Sequence, residues 1–255
     1  MIVLDDLLKL QRKSYFPILT KERNLRLAVK AGIKFLLELF KLSVHHFQVH
    51  ADGLPKNLNI QVVDECEIIR VDGKLPIPNH RLAEVIHNTK ANNLIVGETK
   101  PNFVLDPARF KIRHTFFCCE TLWFTGEMFL KMNFASLRVM KNSISRDCCV
   151  KFVDRWMDSD NMEFEYLAMN GPTQNFSSYR FFDHLKPEPW CENRRSRYFG
   201  TDGIMALDLK NGIDIQRIDG LWATVRVFND GFLFCVWHKR FHDVTGQKIV
   251  GQVDD

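Results

Sequence analysis

The chain is 255 residues long, 45% hydrophobic and nearly balanced in charge, with 35 Lys plus Arg against 31 Asp plus Glu. Such a length and apolar content support a sizeable core in one or two domains, and so small a basic excess supplies no strong field for nucleic acid or a membrane surface. The opening MIVLDDLLKLQRK carries acids where a signal peptide carries bases, and no apolar run approaches the 18 or more residues of a spanning helix, so a soluble, intracellular protein, cytoplasmic or nuclear, is expected.

Residues 1–29 read as an N-terminal extension, apolar and acidic from Val3 to Leu10 and then basic and aromatic through Pro17 to Leu27. Residues 30–42, KAGIKFLLELFKL, read as an amphipathic helix with Ile33, Leu36, Leu37, Leu39 and Phe40 inward. It leads into an apolar triplet spaced 1, 4, 6, namely Val44, Phe47 and Val49. The same triplet recurs as Cys66-Ile69-Val71, Ala91-Leu94-Val96, Ile112-Thr115-Phe117, Phe134-Leu137-Val139 and Phe164-Leu167-Met169. Centred on Phe47, Ile69, Leu94, Thr115, Leu137 and Leu167, the steps are 22, 25, 21, 22 and 30 residues, in or next to the 20 to 29 residue period of leucine-rich repeats. The asparagine that usually follows such a strand is present only at Asn142, so the repeats are degenerate.

Helical sequence separates several of the triplets. HRLAEVIHNTK at 80–90 and Thr125 to Met132 read as helices, whereas two prolines limit PNFVLDPARF at 101–110 to one turn. The best-defined unit is SRDCCVKFVDRWMDSDNMEFEYLAMNG. Ser145 is placed as N-cap with Asp147 in the first turn, and Cys148, Cys149, Phe152, Val153, Trp156 and Met157 share one face. After Gly171 come a helix from Ser177 to Leu185 and a Pro- and Arg-rich loop, KPEPWCENRRSRYFG. From Gly212 the period changes to two: IDIQRI, LWATVRVF and FLFCVWH, separated by Asp219-Gly220 and Asn229-Asp230-Gly231, the turn chemistry of antiparallel hairpins. Three such strands suit the open end of a stack. The expectation is an α/β chain: a degenerate leucine-rich-repeat-like solenoid of parallel strands over 30–171, a capping region with a three-stranded antiparallel meander over 172–241, and a frayed polar tail over 242–255.

The helix ending LLELFKLSVHHFQV, the unit FVDRWMDSDNMEFEYLAM and the terminal GIDIQRIDGLWATV and FLFCVWH stand in an order and separation that resemble the nematode F-box-associated domain family, type 2, over about residues 30–238. The resemblance implies a target-holding module of a ubiquitin-ligase subunit. Members usually begin with an F-box that docks on a Skp-type adaptor and cullin, but residues 1–29 show no F-box pattern, so those partners are expected only where an F-box is joined upstream. The target protein is not named by the sequence.

No phosphate-binding, nucleophile-elbow or zinc-protease motif occurs. A non-enzymatic chain without cofactor is expected. His45, His46 and His50 lie close together, but neighbouring strand residues point to opposite faces, which argues against a shared metal. The seven cysteines include two vicinal pairs and no C-x-x-C, as suits reduced thiols packed as small apolar groups. Arg194, Arg195 and Arg197, ahead of Tyr198 and Phe199, form the one run suited to RNA phosphate and base contact.

What remains is a surface. Where positions 1, 4 and 6 of a strand are buried, positions 3 and 5 face outward, and stacking aligns them into a panel. That panel holds His46 and Gln48, Ile68 and Arg70, Asn93 and Ile95, His114 and Phe116, Ser136 and Arg138, Tyr166 and Ala168. Its apolar members flanked by Arg70 and Arg138 resemble a protein-recognition face.

Overall fold

A computed structural model describes residues 25–40, 43–50, 64–72, 83, 87–97, 111–170, 179–201, 205–228 and 231–250. The extension before Leu25, the segment 101–110 and most of the helix expected at 80–90 lie outside them. Among the described residues no helix is long and apolar enough to cross a membrane. The chain divides into two units, Met1–Trp123 with Met132–Phe134, and Phe124–Lys131 with Ala135–Asp255. The division falls inside the stretch that the repeats suggested as one domain.

In the first unit, helix α1 (Leu25–Phe40) precedes four strands, β1 (His46–His50), β2 (Glu65–Asp72), β3 (Lys90–Val96) and β4 (Ile112–Cys118). Each strand pairs with the next in parallel. The spacing of the triplets explains their inward faces: Cys66, Ile69 and Val71 in β2, and Ala91, Leu94 and Val96 in β3, are all buried. Each large apolar side chain fully removed from water contributes about 1.5–3 kcal/mol before conformational entropy is counted. On α1, Ile33, Leu36 and Leu37 are half-buried, while Leu39 faces solvent at 58% exposure, against expectation.

Strand β4 departs from the expected register. A bulge between Ala91 and Asn93 shifts the pairing, so that Ala91 faces Ile112 but Leu94 faces Phe116 and Val96 faces Cys118. The buried set is therefore Ile112, Phe116 and Cys118, with Thr115 and Phe117 only half-buried. One extra residue moves every later side chain to the other face. Phe116 fills the core beside Phe134 and Trp123, with ring centroids 5.6 Å and 6.4 Å away.

In the second unit, helix α2 (Gly126–Lys131) starts at Thr125, whose Oγ1 accepts from Met128 N at 3.2 Å. A Cβ at Gly126 would stand 2.3 Å from Cys148 Sγ, so any side chain there must displace that thiol. Strand β5 (Ser136–Met140) pairs in parallel with β6 (Tyr166–Asn170). Between them runs α3 (Arg146–Met157), capped by Ser145, whose side chain accepts from Cys148 N. Its buried face of Cys149, Phe152, Val153 and Trp156 lies on the sheet, with Phe152 and Trp156 meeting Phe234 edge-on at 5.8 Å and 5.1 Å.

The 3₁₀ turn Tyr179–Leu185 and the two-residue strand β7 (Glu188–Pro189) lead to β8 (Tyr198–Thr201) and β9 (Met205–Asp208). The meander follows as β10 (Ile213–Gln216), β11 (Trp222–Phe228) and β12 (Gly231–Val236), antiparallel throughout, with β12 lying antiparallel against β6. All six residues of β12 are buried. The reason is a second layer. Phe232 and Phe234 belong to one face, while Leu233, Cys235 and the following Trp237 pack with Phe199 and Leu207 of a smaller three-stranded sheet and with Leu209 just after it. That sheet runs β13-β9-β8, and β13 (Lys248–Val250) comes from the stretch expected to be a frayed tail. His242 anchors it by packing 4.7 Å from the Phe199 ring and accepting from Gly200 N at 3.2 Å.

Candidate functional site

The parallel pairing in the first unit lines up two rows of outward side chains. His46 stands beside Ile68, Ile68 beside Asn93, and Asn93 beside Thr115; two residues on, Gln48 stands beside Arg70, Arg70 beside Ile95, and Ile95 beside Phe117. Arg70 is exposed and the other seven are half-buried. His114 is exposed as expected, and its Nδ1 lies 3.0 Å from Thr115 Oγ1. Phe116 leaves the panel because it is fully buried, and the bulge puts Phe117 in its place.

Hydrogen bonds hold the polar members of the rows. Asp72 Oδ2 accepts from Arg70 Nε at 2.6 Å and from Gln48 Nε2 at 3.0 Å, and Glu67 accepts from Asn92 at 2.6 Å and Asn93 at 3.1 Å. Cross-strand ties of this kind fix side-chain direction more than they add stability, since exposed ion pairs contribute little. His46 keeps one unspent group: its Nε2 is sealed and takes no partner among the described residues. Ile68 and Ile95 supply apolar contact area between pre-positioned polar groups, a pattern suited to a protein surface.

The expected panel does not extend to the second unit. Tyr166 is 6% exposed and Ser136 is 1% exposed. Tyr166 packs against Phe199 of β8 at 6.2 Å, and Ser136 Oγ donates to Glu165 Oε2 at 2.8 Å. The small sheet occupies the face that Tyr166 would have offered. Arg138 is half-buried, with Nη1 3.3 Å from Met205 Sδ, and lines an apolar pocket of about 310 Å³.

The arginine run is committed inward. Arg195 is 0% exposed and its Nε donates to Asp214 Oδ1 at 2.8 Å. Burial pushes its guanidinium pKa down, opposed by the Asp214 carboxylate. Arg194 donates to Asp214 Oδ2 at 3.0 Å, and Arg197 donates to both oxygens of the buried Asp208. All three arginines of the run therefore have carboxylate partners within the fold. The sequence held a signal for it: Asp208 and Asp214 follow within 20 residues, and Asp214 lies in the period-two run, where a carboxylate needs a cation if it turns inward.

His45 is exposed and His46 half-buried, and among the described residues no group of three or more His, Cys, Asp or Glu could hold a metal ion. All seven cysteines are free. Burial pushes the Cys66 thiol up to about 12 and raises Cys118, Cys149 and Cys235 as well, the reverse of what a reactive thiol requires. Comparison with known proteins finds no matching family model, no matching curated protein and no matching solved structure.

Proposed function

We propose that the chain is a non-enzymatic protein-binding module, the target-holding part of an SCF-type ubiquitin-ligase subunit. The observation that carries the reading is the pair of outward rows on β1 to β4, where Ile68 lies between His46 and Asn93, and Ile95 and Phe117 adjoin the hydrogen-bonded Gln48 and Arg70. Parallel strands at near-repeat spacing support a degenerate leucine-rich-repeat-like solenoid as the scaffold. Asn142 adds to this: fully buried, it accepts from Ile144 N at 3.0 Å and donates to Asn170 O at 3.4 Å, the work of a repeat asparagine that satisfies backbone at a turn. The ligase role comes from the resemblance to F-box-associated domains, and the target is a protein still to be identified.

Benzoylphenylalanine placed at position 117 tests the reading. Irradiation in the source cells is expected to yield a discrete protein adduct that is missing when the same group replaces Ile218, an exposed residue of the second unit. Equal labelling at both positions contradicts the reading. Retention of a recombinant Skp-type adaptor by the protein as expressed in its source cells, with any upstream sequence included, separates a ligase subunit from a free-standing interaction domain.

A further inference from the structure

The pocket beside Arg138 has a composition that the protein-binding reading does not use. It lies wholly within the second unit, between β5, β6 and the meander on one side and the small sheet on the other. Methionines 140, 169 and 205, with Phe228, Leu233 and Val250, give it mainly apolar walls. Its volume of about 310 Å³ is at the lower end for small-molecule sites. Two guanidinium side chains, Arg138 and Arg226, are in the lining, and no Asp or Glu is.

Arg226 is the telling member. It is only 3% exposed, yet among the described residues it has no carboxylate at ion-pair distance. Its Nη1 donates to the Asp208 carbonyl, and its guanidinium carbon lies 5.4 Å from the Phe228 ring centre. The Asp208 carboxylate itself is taken by Arg197 at 2.7 Å and by Lys210 N at 3.0 Å. Nε and Nη2 of Arg226 take no partner among the described residues and are not sealed from solvent. The Asp208 carboxylate acts on Arg226 through space, since Arg226 is one of the charges that hold its pKa below the usual value, but it makes no direct ion pair with it, and buried charges are normally paired directly. Here the unspent guanidinium donors and the apolar walls share one space.

We propose that this pocket binds an aliphatic carboxylate, with the chain against the methionines and the carboxylate at Arg226 and Arg138. The cations select the head group through charge-assisted hydrogen bonds, and the unbranched methionines adapt to the chain. This site is independent of the outward rows in the first unit.

Decanoate is the probe, titrated into the full chain carrying ¹³C-methyl methionine. The expected result is saturable shifts of the Met140 and Met205 methyls, with Met128 unmoved and affinity at least tenfold above that of decanol. Arg138→Gln is expected to weaken decanoate at least threefold and leave decanol unchanged. Arg226→Met tests the buried cation if it folds; Ala168→Leu, at the pocket wall, tests occupancy and is expected to abolish binding. Absence of saturable shifts, equal affinity for decanol, or unchanged decanoate binding by folded Ala168→Leu each overturns the proposal.

Discussion

Arg195 and Asp214 are 0% and 1% exposed, and the guanidinium Nε donates to the carboxylate at 2.8 Å. Around this pair, Thr224 Oγ1 donates to the same oxygen at 2.7 Å and itself accepts from Trp237 Nε1 at 2.8 Å, tying β10, β11 and the end of β12 together. The Arg195 guanidinium also lies 4.8 Å from the Trp237 ring centre. Removing one partner strands the other charge in the core. Asp214→Ala is predicted to cost about 3–5 kcal/mol, and adding Arg195→Met to it should cost less than the sum of the single changes. Urea melts of the three variants check this; additive losses contradict a direct pair.

The bulge in β4 makes adjacent phenylalanines respond differently. Phe116 is 0% exposed, whereas Phe117 is half-buried on the outward row. Phe116→Ala is predicted to cost about 3–5 kcal/mol and Phe117→Ala about 1 kcal/mol or less. Denaturant melts decide it, and a reversed order places the strand one residue out of register.

His242 is predicted to make the second unit lose stability in mild acid. Burial holds its pKa below the usual histidine value, and its Nδ1 accepts from Gly200 N at 3.2 Å. The folded state therefore favours the neutral ring. The unfolded chain binds the proton first as pH falls, so this contribution is complete above about pH 6.5 and is lost as pH falls further through the folded value. Urea midpoints measured from about pH 7.5 to about pH 5 should fall more steeply for the native chain than for His242→Phe. Parallel curves contradict the assignment.

Gly231 at the start of β12 is predicted to resist substitution. A Cβ there would stand 2.9 Å from Met169 O and 2.3 Å from the Phe228 ring. Backbone cannot yield at that distance without disturbing the β6 ladder, so Gly231→Ala should lower the melting temperature although alanine is only one methyl larger. An unchanged melt contradicts the close approach.

Much of this architecture was legible because burial repeats on a short period. The Cys66, Ile69, Val71 and Ala91, Leu94, Val96 sets are buried as read, Ser145 caps its helix, and the period-two strands form the antiparallel meander. The β4 register was not, since Thr115 and Phe116 each complete an apolar pattern from Ile112 and the deciding bulge depends on pairing with β3. Phe116 was the larger apolar choice and could have favoured the correct frame. The small sheet was missed because YFGT, MALD and KIV are three or four residues each and are stabilised by long-range partners. That sheet covers Tyr166, which spacing had aligned with the outward positions, whereas Ile68 and Ile95 are not fully buried.

The most direct measurement of the central claim is affinity purification of the tagged chain from its source cells, comparing native protein with the Ile68→Glu/Ile95→Glu double variant. Both sites are half-buried on the outward rows, and the variant's thermal melt establishes that it is folded. The account predicts a partner that crosslinks to position 117, co-purifies with native protein and with Ile218→Glu, and falls at least tenfold with the double variant. Undiminished recovery of that partner by the folded double variant contradicts a binding face on β1 to β4.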